Sequence, residues 1–217
     1  MIDARCFTVG PVQENCYVVR AQGADRAVVV DPGEEAPRLL EALAALQIAH
    51  VDAILLTHTH FDHVGAVAPL ARETGAPVYC PELERGVLAD INSFLLPGFG
   101  PFEDYEADEL VSGGEQLQLA GLTFDVIFTP GHSPGHVTYA LTPPDADPPA
   151  LFSGDVLFQG SIGRTDLPGA DTATLLGSIA QLLDAYPDET VVHPGHMGIT
   201  TLGVERASNP FLQALAR

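Results

Sequence analysis

Apolar residues recur in short runs along this chain, and their spacing predicts strands interleaved with helices. Three runs open it, at residues 6–9, 16–20 and 27–31, separated by Gly10-Pro11 and by Gly23 as in a meander. Asp31-Pro32-Gly33 stops the third run. Over 34–46 the period changes: Leu39, Leu40, Leu43 and Leu46 fall at helical spacing, with acidic residues expected in the first turn. A buried strand over 53–57 then runs into a histidine-rich segment. A helix is predicted over 64–74, ending at Gly75, and an edge strand over 76–80. Residues 82–109 mix acids with Ile91, Phe94, Leu95, Leu96, Phe99 and Phe102, and are expected to form a short helix and a loop over a site.

The second half follows similar logic. A strand over 122–128 ends at Thr129-Pro130-Gly131-His132, another returns over 136–142, and 143–149 is a proline-rich turn. A strand over 150–153 ends at Gly154-Asp155. A helix is expected over 171–186, capped by Asp171 or Thr172, before a strand over 189–192 that leads into His193-Pro194-Gly195-His196. Strands followed by a helix in each half point to two sheets packed face to face with helices outside.

Length and composition narrow the class. A chain of 217 residues, 46% apolar, suits one domain with a well-buried core. No apolar run approaches the roughly 20 residues of a membrane span, and the first residues do not read as a signal peptide, so a cytoplasmic location is expected. Cys6, Cys16 and Cys80 have no CxxC spacing and read as reduced thiols. The net charge of −20, with all nine basic residues arginine, repels phosphate backbones and argues against nucleic acid as a partner.

Candidate chemistry changes the picture most. His58, His60, Asp62 and His63 crowd four potential metal ligands into six positions, a set that cannot pack as core. A turn after a strand can splay them toward two cations. His132 stands in Pro-Gly-His-Ser-Pro-Gly-His, where glycine allows close backbone approach and proline fixes the turn. His136, opening the next strand, reads as an outer or packing residue. Asp155 is a carboxylate delivered by a strand; it is either a turn aspartate or a bridge between two cations held about 3.5–4 Å apart. His196 is preferred to His193 as a ligand because it follows a glycine turn as His132 does, and His50 reads as an ordinary surface histidine.

Taken in order, His-x-His-x-Asp-His, Gly-His132, Gly-Asp155 and Gly-His196 resemble the metallo-β-lactamase superfamily, over residues 57–196. The resemblance implies an α+β fold: an αββα sandwich of two mixed sheets flanked by helices, with metals at one edge. It implies that His58, His60 and His132 hold one divalent metal, that Asp62, His63 and His196 hold a second, and that Asp155 bridges them. Zinc is the default for this ligand mixture, with iron or manganese as alternatives.

Within the superfamily, the segment from Leu157 to Gly169 looks like the glyoxalase II-like hydrolases, which act on S-acyl glutathione thioesters. That likeness implies metal-bound hydroxide attacking a thioester, with Asp62 also orienting the nucleophile and Arg164 meeting an anionic group of the acyl-thiol substrate. Arg164 pairing with Asp166 is the competing reading. The chain is expected to be a single domain over 1–217 without a C-terminal glutathione-binding extension. The rival readings are a persulfide dioxygenase with one iron, a lactone hydrolase, and an inactive metal-stabilised interaction module. Ser133 and Ser153 read as turn residues rather than nucleophiles.

Overall fold

The computed structural model describes residues 1–142 and 148–213; most of the proline-rich turn expected over 143–149 lies outside them. Six strands form the first sheet in sequence order: β1 (Ile2–Val9), β2 (Glu14–Ala21), β3 (Arg26–Val30), β4 (His50–Leu55), β5 (Val78–Pro81) and β6 (Glu109–Val111). The pairs β1–β2 and β2–β3 are antiparallel; β3–β4, β4–β5 and β5–β6 are parallel. The second sheet contains β7 (Gln116–Leu119), β8 (Leu122–Phe128), β9 (Val137–Leu141), β10 (Ala150–Gly154), β13 (Val191–Pro194) and β14 (Thr200–Thr201). Its order is β14-β13-β10-β9-β8-β7, with β10–β13 parallel and the other pairs antiparallel. A small hairpin, β11 (Leu157–Phe158) and β12 (Ser161–Ile162), stands apart.

The layers follow from the period of two along each strand. Tyr17, Val19, Val28, Val30, Ala53 and Leu55 of the first sheet meet Phe124, Val126, Val137, Tyr139, Leu141 and Phe152 of the second. The alternate residues Val18, Val29 and Ile54 face outward and are covered by Leu39 and Leu43 of α1 (Ala36–Ala45) and by Val67 and Leu70 of α3 (Val67–Thr74). Ala140, Leu151 and Val192 of the second sheet pack against Leu175, Ile179 and Leu182 of α5 (Thr172–Ala185). Both faces are therefore buried, which is why β2 and β3 read as nearly continuous apolar runs. This is the αββα sandwich expected. No helix among the described residues is long and apolar enough to cross a membrane.

Three local expectations change. The edge strand expected over 76–80 is β5, Val78–Pro81, and it is interior, because β6 adds the edge beyond it. The helix expected over 64–74 is divided into α2 (Phe61–Val64) and α3, separated at Gly65-Ala66. A Cβ at Gly65 would lie 2.5 Å from the Gly33 carbonyl oxygen and 2.7 Å from the Phe102 ring, so the chain turns where another residue would not fit. The acids expected in the first turn of α1 precede it instead; Pro37 sits in that first turn, where its missing N–H is tolerated. Over 82–109, the short helix expected is α4 (Arg85–Leu88), flanked by 3₁₀ turns at Glu82–Glu84 and Ile91–Phe94. Asp171 caps α5 as expected, accepting from the Thr174 amide at 2.7 Å. The last helix, α6 (Leu202–Ser208), follows β14.

Candidate metal centre

Parallel pairing brings the ends of β3, β4, β10 and β13 to one edge of the sandwich, where β9 also begins. Tyr139 donates its hydroxyl to the Leu56 carbonyl at 2.9 Å, and the Val137 amide donates to the Thr57 carbonyl at 2.9 Å. The end of β4 is thus tied to the other sheet just before the histidines begin.

Hydrogen bonding fixes the tautomers. Asp31, at the end of β3, accepts from the Thr57 amide and hydroxyl, each at 2.7 Å. The single Thr57 hydroxyl proton is committed there, so Thr57 Oγ1 accepts from His58 Nδ1–H at 3.0 Å and His58 Nε2 is bare. His132 Nδ1–H donates to the Arg164 carbonyl at 2.8 Å, which leaves His132 Nε2 bare as well. His60 Nδ1 lies 3.1 Å from the first of these nitrogens and 2.8 Å from the second. Three imidazole nitrogens therefore converge, with a proton available from His60 alone. Burial, then the neighbouring imidazoles, holds His58 well below the ordinary histidine range; burial and His132 bring His60 down to about 4. Neutral imidazoles aimed at one point suit a transition-metal cation.

A second cluster adjoins the first. His63 Nδ1 faces Asp31 Oδ2 at 3.0 Å, and its Nε2 lies 3.3 Å from Asp155 Oδ1 and 3.9 Å from Asp62 Oδ2. His196 Nε2 lies 3.2 Å from Asp62 Oδ2 and 3.6 Å from Asp155 Oδ2. Asp155 Oδ2 also approaches His132 Nε2, at 3.5 Å, so this carboxylate stands between the clusters. His63 Nε2 and Asp155 Oδ1 are buried without a hydrogen-bond partner among the described residues. Buried polar atoms are seldom left so, and a cation between them would satisfy both. Burial would lower His63, but Asp155 and Asp62 outweigh it and hold it well above the usual range. Burial is likewise outweighed at His196 by its contact with Asp62, and its pKa is raised. The imidazoles in turn overcome the effect of burial on Asp155 and hold it well below the carboxylate range.

All seven residues expected as ligands are thus brought together, and among the described residues four groupings could hold an ion: His58/His60/His132, Asp62/His63/His196, His58/His63/Asp155 and Glu14/Asp31/His63. His196 reaches its place because Gly195 precedes it: a Cβ there would collide with Asp155 Oδ1 and lie 2.6 Å from His63 Cε1. The loop is pinned from the first sheet. Asn15 Nδ2 donates to the carbonyls of Pro194 (3.1 Å) and Met197 (2.9 Å), and Tyr17 donates its hydroxyl to Pro194 at 2.8 Å.

The remaining histidines behave as their positions suggest. His136 stacks on His58 with ring centroids 4.9 Å apart and accepts from the Asp155 amide at 3.1 Å. His193 stacks on Phe152, and burial lowers it to about 4. His50 is exposed at the start of β4. The Ser133 and Ser153 hydroxyls are committed to Glu84 and to the Leu157 carbonyl.

Arg164 is exposed, and its guanidinium forms a two-pronged pair with Asp166 at 2.7 and 2.8 Å. Its link to the centre is its carbonyl on His132. Asp31, Asn15, Tyr17, Glu14 and Glu84 were not anticipated. Asp31 carried a signal, the Asp-Pro-Gly stop after a strand. Glu14 is fully buried with both oxygens unpartnered among the described residues, 3.8 Å from His63 Nδ1, and burial raises its carboxyl well above the usual range.

Residues 9–196 match the family model of the metallo-beta-lactamase superfamily. The chain belongs to the metallo-beta-lactamase superfamily. It is 39% identical to the "Probable metallo-hydrolase YqgX" of Bacillus subtilis, over 98% of each chain. It is 35% identical to the "Hydroxyacylglutathione hydrolase GloC" of Haemophilus influenzae, over 93% of this chain and 94% of that one. Among solved structures, a B3 metallo-beta-lactamase, BLEG-1, superposes with a TM-score of 0.88 at 42% identity, covering 98% of this chain and 99% of the other. TTHA1623 in a di-iron-bound form gives 0.81 at 43%, covering 96% and 100%. ETHE1 from Myxococcus xanthus gives 0.75 at 27%, covering 96% and 83%. Superfamily membership supports a metal-dependent hydrolase, and the His/Asp clusters offer the fold its metal-binding groups.

Proposed function

We propose that this protein is a binuclear metal-dependent thioesterase acting on a small acyl-thiol of the S-lactoylglutathione type. The observation that carries this reading is the placement of Asp155 between two donor sets, one of three imidazoles and one of Asp62, His63 and His196. His58, His60 and His132 would hold one metal, Asp62, His63 and His196 the other, and Asp155 both. Divalent metals held there would supply hydroxide by lowering the pKa of a bound water toward neutrality. The chain's own residues aim the donors: Thr57 and the Arg164 carbonyl set the tautomers of His58 and His132, and Asp31 orients His63. Asp62 is placed to orient the nucleophile as well as to ligate. No side-chain nucleophile is needed, since both nearby serine hydroxyls are engaged elsewhere.

The relationship to GloC favours a hydroxyacyl thioester. Arg164 remains our candidate for an anionic end of the substrate, which would have to draw it from Asp166. The likeness to ETHE1 favours a second reading, in which one iron serves a persulfide dioxygenase. The complete Asp62/His63/His196 set argues for hydrolysis, and the metal is taken as zinc or iron, the latter on the strength of the di-iron neighbour.

The purified protein, assayed with S-lactoylglutathione, a lactone, a β-lactam and glutathione persulfide, decides between these. Thioester cleavage without oxygen uptake is expected. Oxygen consumption on the persulfide with one iron per chain would replace the hydrolase reading by the second.

A further inference from the structure

Glu84 is a buried carboxylate, 4% exposed, outside the donor sets. It lies in the 3₁₀ turn after β5, and three donors from two different loops converge on it. Its Oε2 accepts from the Thr59 hydroxyl at 2.8 Å. Its Oε1 accepts from the Ser133 hydroxyl at 2.7 Å and from the Gly135 amide at 2.8 Å.

The positions of these donors give the carboxylate its meaning. Thr59 lies between His58 and His60, Ser133 directly follows His132, and Gly135 directly precedes His136. Thr59 is fully buried and Ser133 nearly so. The packing is shaped to admit the carboxylate: a Cβ at Gly135 would lie 2.6 Å from Glu84 Cγ and 2.9 Å from Leu83 Cβ. Three hydrogen bonds to one buried side chain tie the two loops through a single joint.

We infer that Glu84 is a positioning residue that clamps the 57–63 loop to the 131–136 loop and so sets the spacing of His58, His60 and His132 as a metal site. This rests on the metal-hydrolase reading above. The clamp acts through hydrogen bonds rather than charge. A glutamine in its place keeps an oxygen for Ser133 and Gly135 and turns an amide N–H toward Thr59 Oγ1, which can accept it.

The test uses the full-length protein, stripped with chelator and titrated with zinc and with cobalt. Two equivalents bound by the wild type, with thioesterase activity, establish the underlying reading; failure of that step overturns the reading and is distinct from failure of the clamp. Glu84→Ala is expected to weaken binding at the three-histidine half by roughly 10–100-fold, as loss of an outer partner does, and to leave the other half near its wild-type affinity. Glu84→Gln should restore the affinity to within a few-fold and return the visible cobalt spectrum to the wild-type form.

A folded Glu84→Ala with wild-type affinity at both halves overturns the clamp, and so does a Glu84→Gln as impaired as the alanine variant. Should Glu84→Ala fail to fold, Thr59→Val cuts the arm to the 57–63 loop and Ser133→Ala weakens the other, which keeps the Gly135 amide. Their combined loss is expected to fall short of the product of the single losses, because a joint cut on one side no longer couples the loops. Strict multiplicativity overturns the proposal.

Discussion

The two halves of the centre are built on opposite electrostatic plans. His58, His60 and His132 form a pocket of three imidazoles, and burial drives His58 and His60 below the ordinary histidine range. Its geometry is set from outside by Thr57 and by the Arg164 carbonyl. The Asp62/His63/His196 half is rich in carboxylate, and its histidines are held above the ordinary range despite burial. Burial disfavours protons on His58 and His60, whereas His63 and His196 draw protons that a cation must displace. On the proposed assignment, in which both sites share Asp155, the two would differ in how metal competes with protons.

The largest effect expected is at the shared residue. Asp155→Ala should remove both metals and hydrolysis together, a loss beyond the roughly 10–100-fold that an outer partner is worth. Metal analysis after dialysis, with the assay on the same sample, checks it; a metal-replete variant of normal activity would sink the bridging role.

Asp31→Asn tests the comparison more finely. An amide that keeps its oxygen on the Thr57 amide turns N–H groups toward His63 Nδ1, and this pushes the His63 proton onto the nitrogen that faces Asp155. The Asp31 oxygen that faces His63 also accepts from the Thr57 hydroxyl, whose proton is then free to turn toward His58 Nδ1, so affinity should drop by roughly 10–100-fold at both halves. Unchanged affinity at both halves would contradict the role given to Asp31.

A milder perturbation is pH. As it falls from 7.5 to 5.5, metal should leave the Asp62/His63/His196 half first, because His63 and His196 bind protons more tightly there than free histidine does. Equilibrium dialysis at each pH reads the order of loss. Simultaneous loss would remove the electrostatic distinction.

His193, stacked on Phe152 behind the centre, gives the smallest expected effect. Its folded pKa is about 4, below the roughly 6.5 of an unfolded histidine, so the unfolded chain binds more protons between those values. Stability of the metal-free protein therefore falls as pH drops through that window. His193→Phe should flatten the slope by at most about 1.4 kcal/mol per pH unit, measured by denaturant unfolding. An unchanged slope would refute that accounting.

Much of this architecture was legible in the chain. Strands buried on both faces leave continuous apolar runs, and the seven candidate ligands follow glycine turns or crowd one segment. The break at Gly65 was not legible, because it depends on Gly33 and Phe102, distant in sequence and adjacent in space. β6 has three residues, two of them exposed, and so carries no strand pattern. Glu84, Asn15 and Tyr17 work through partners 25 to 182 positions away, and nothing local marks them as parts of a metal centre. The contact of Arg164 with His132 is made by its carbonyl, which any residue would supply, so no side-chain signal marks it.

The most direct test of a two-metal hydrolase is stepwise reconstitution. Chelator-stripped protein is titrated with zinc or iron while S-lactoylglutathione hydrolysis is followed at each increment. The account predicts that two equivalents bind per chain and that turnover rises with the second. Saturation of both binding and activity at one equivalent would contradict it.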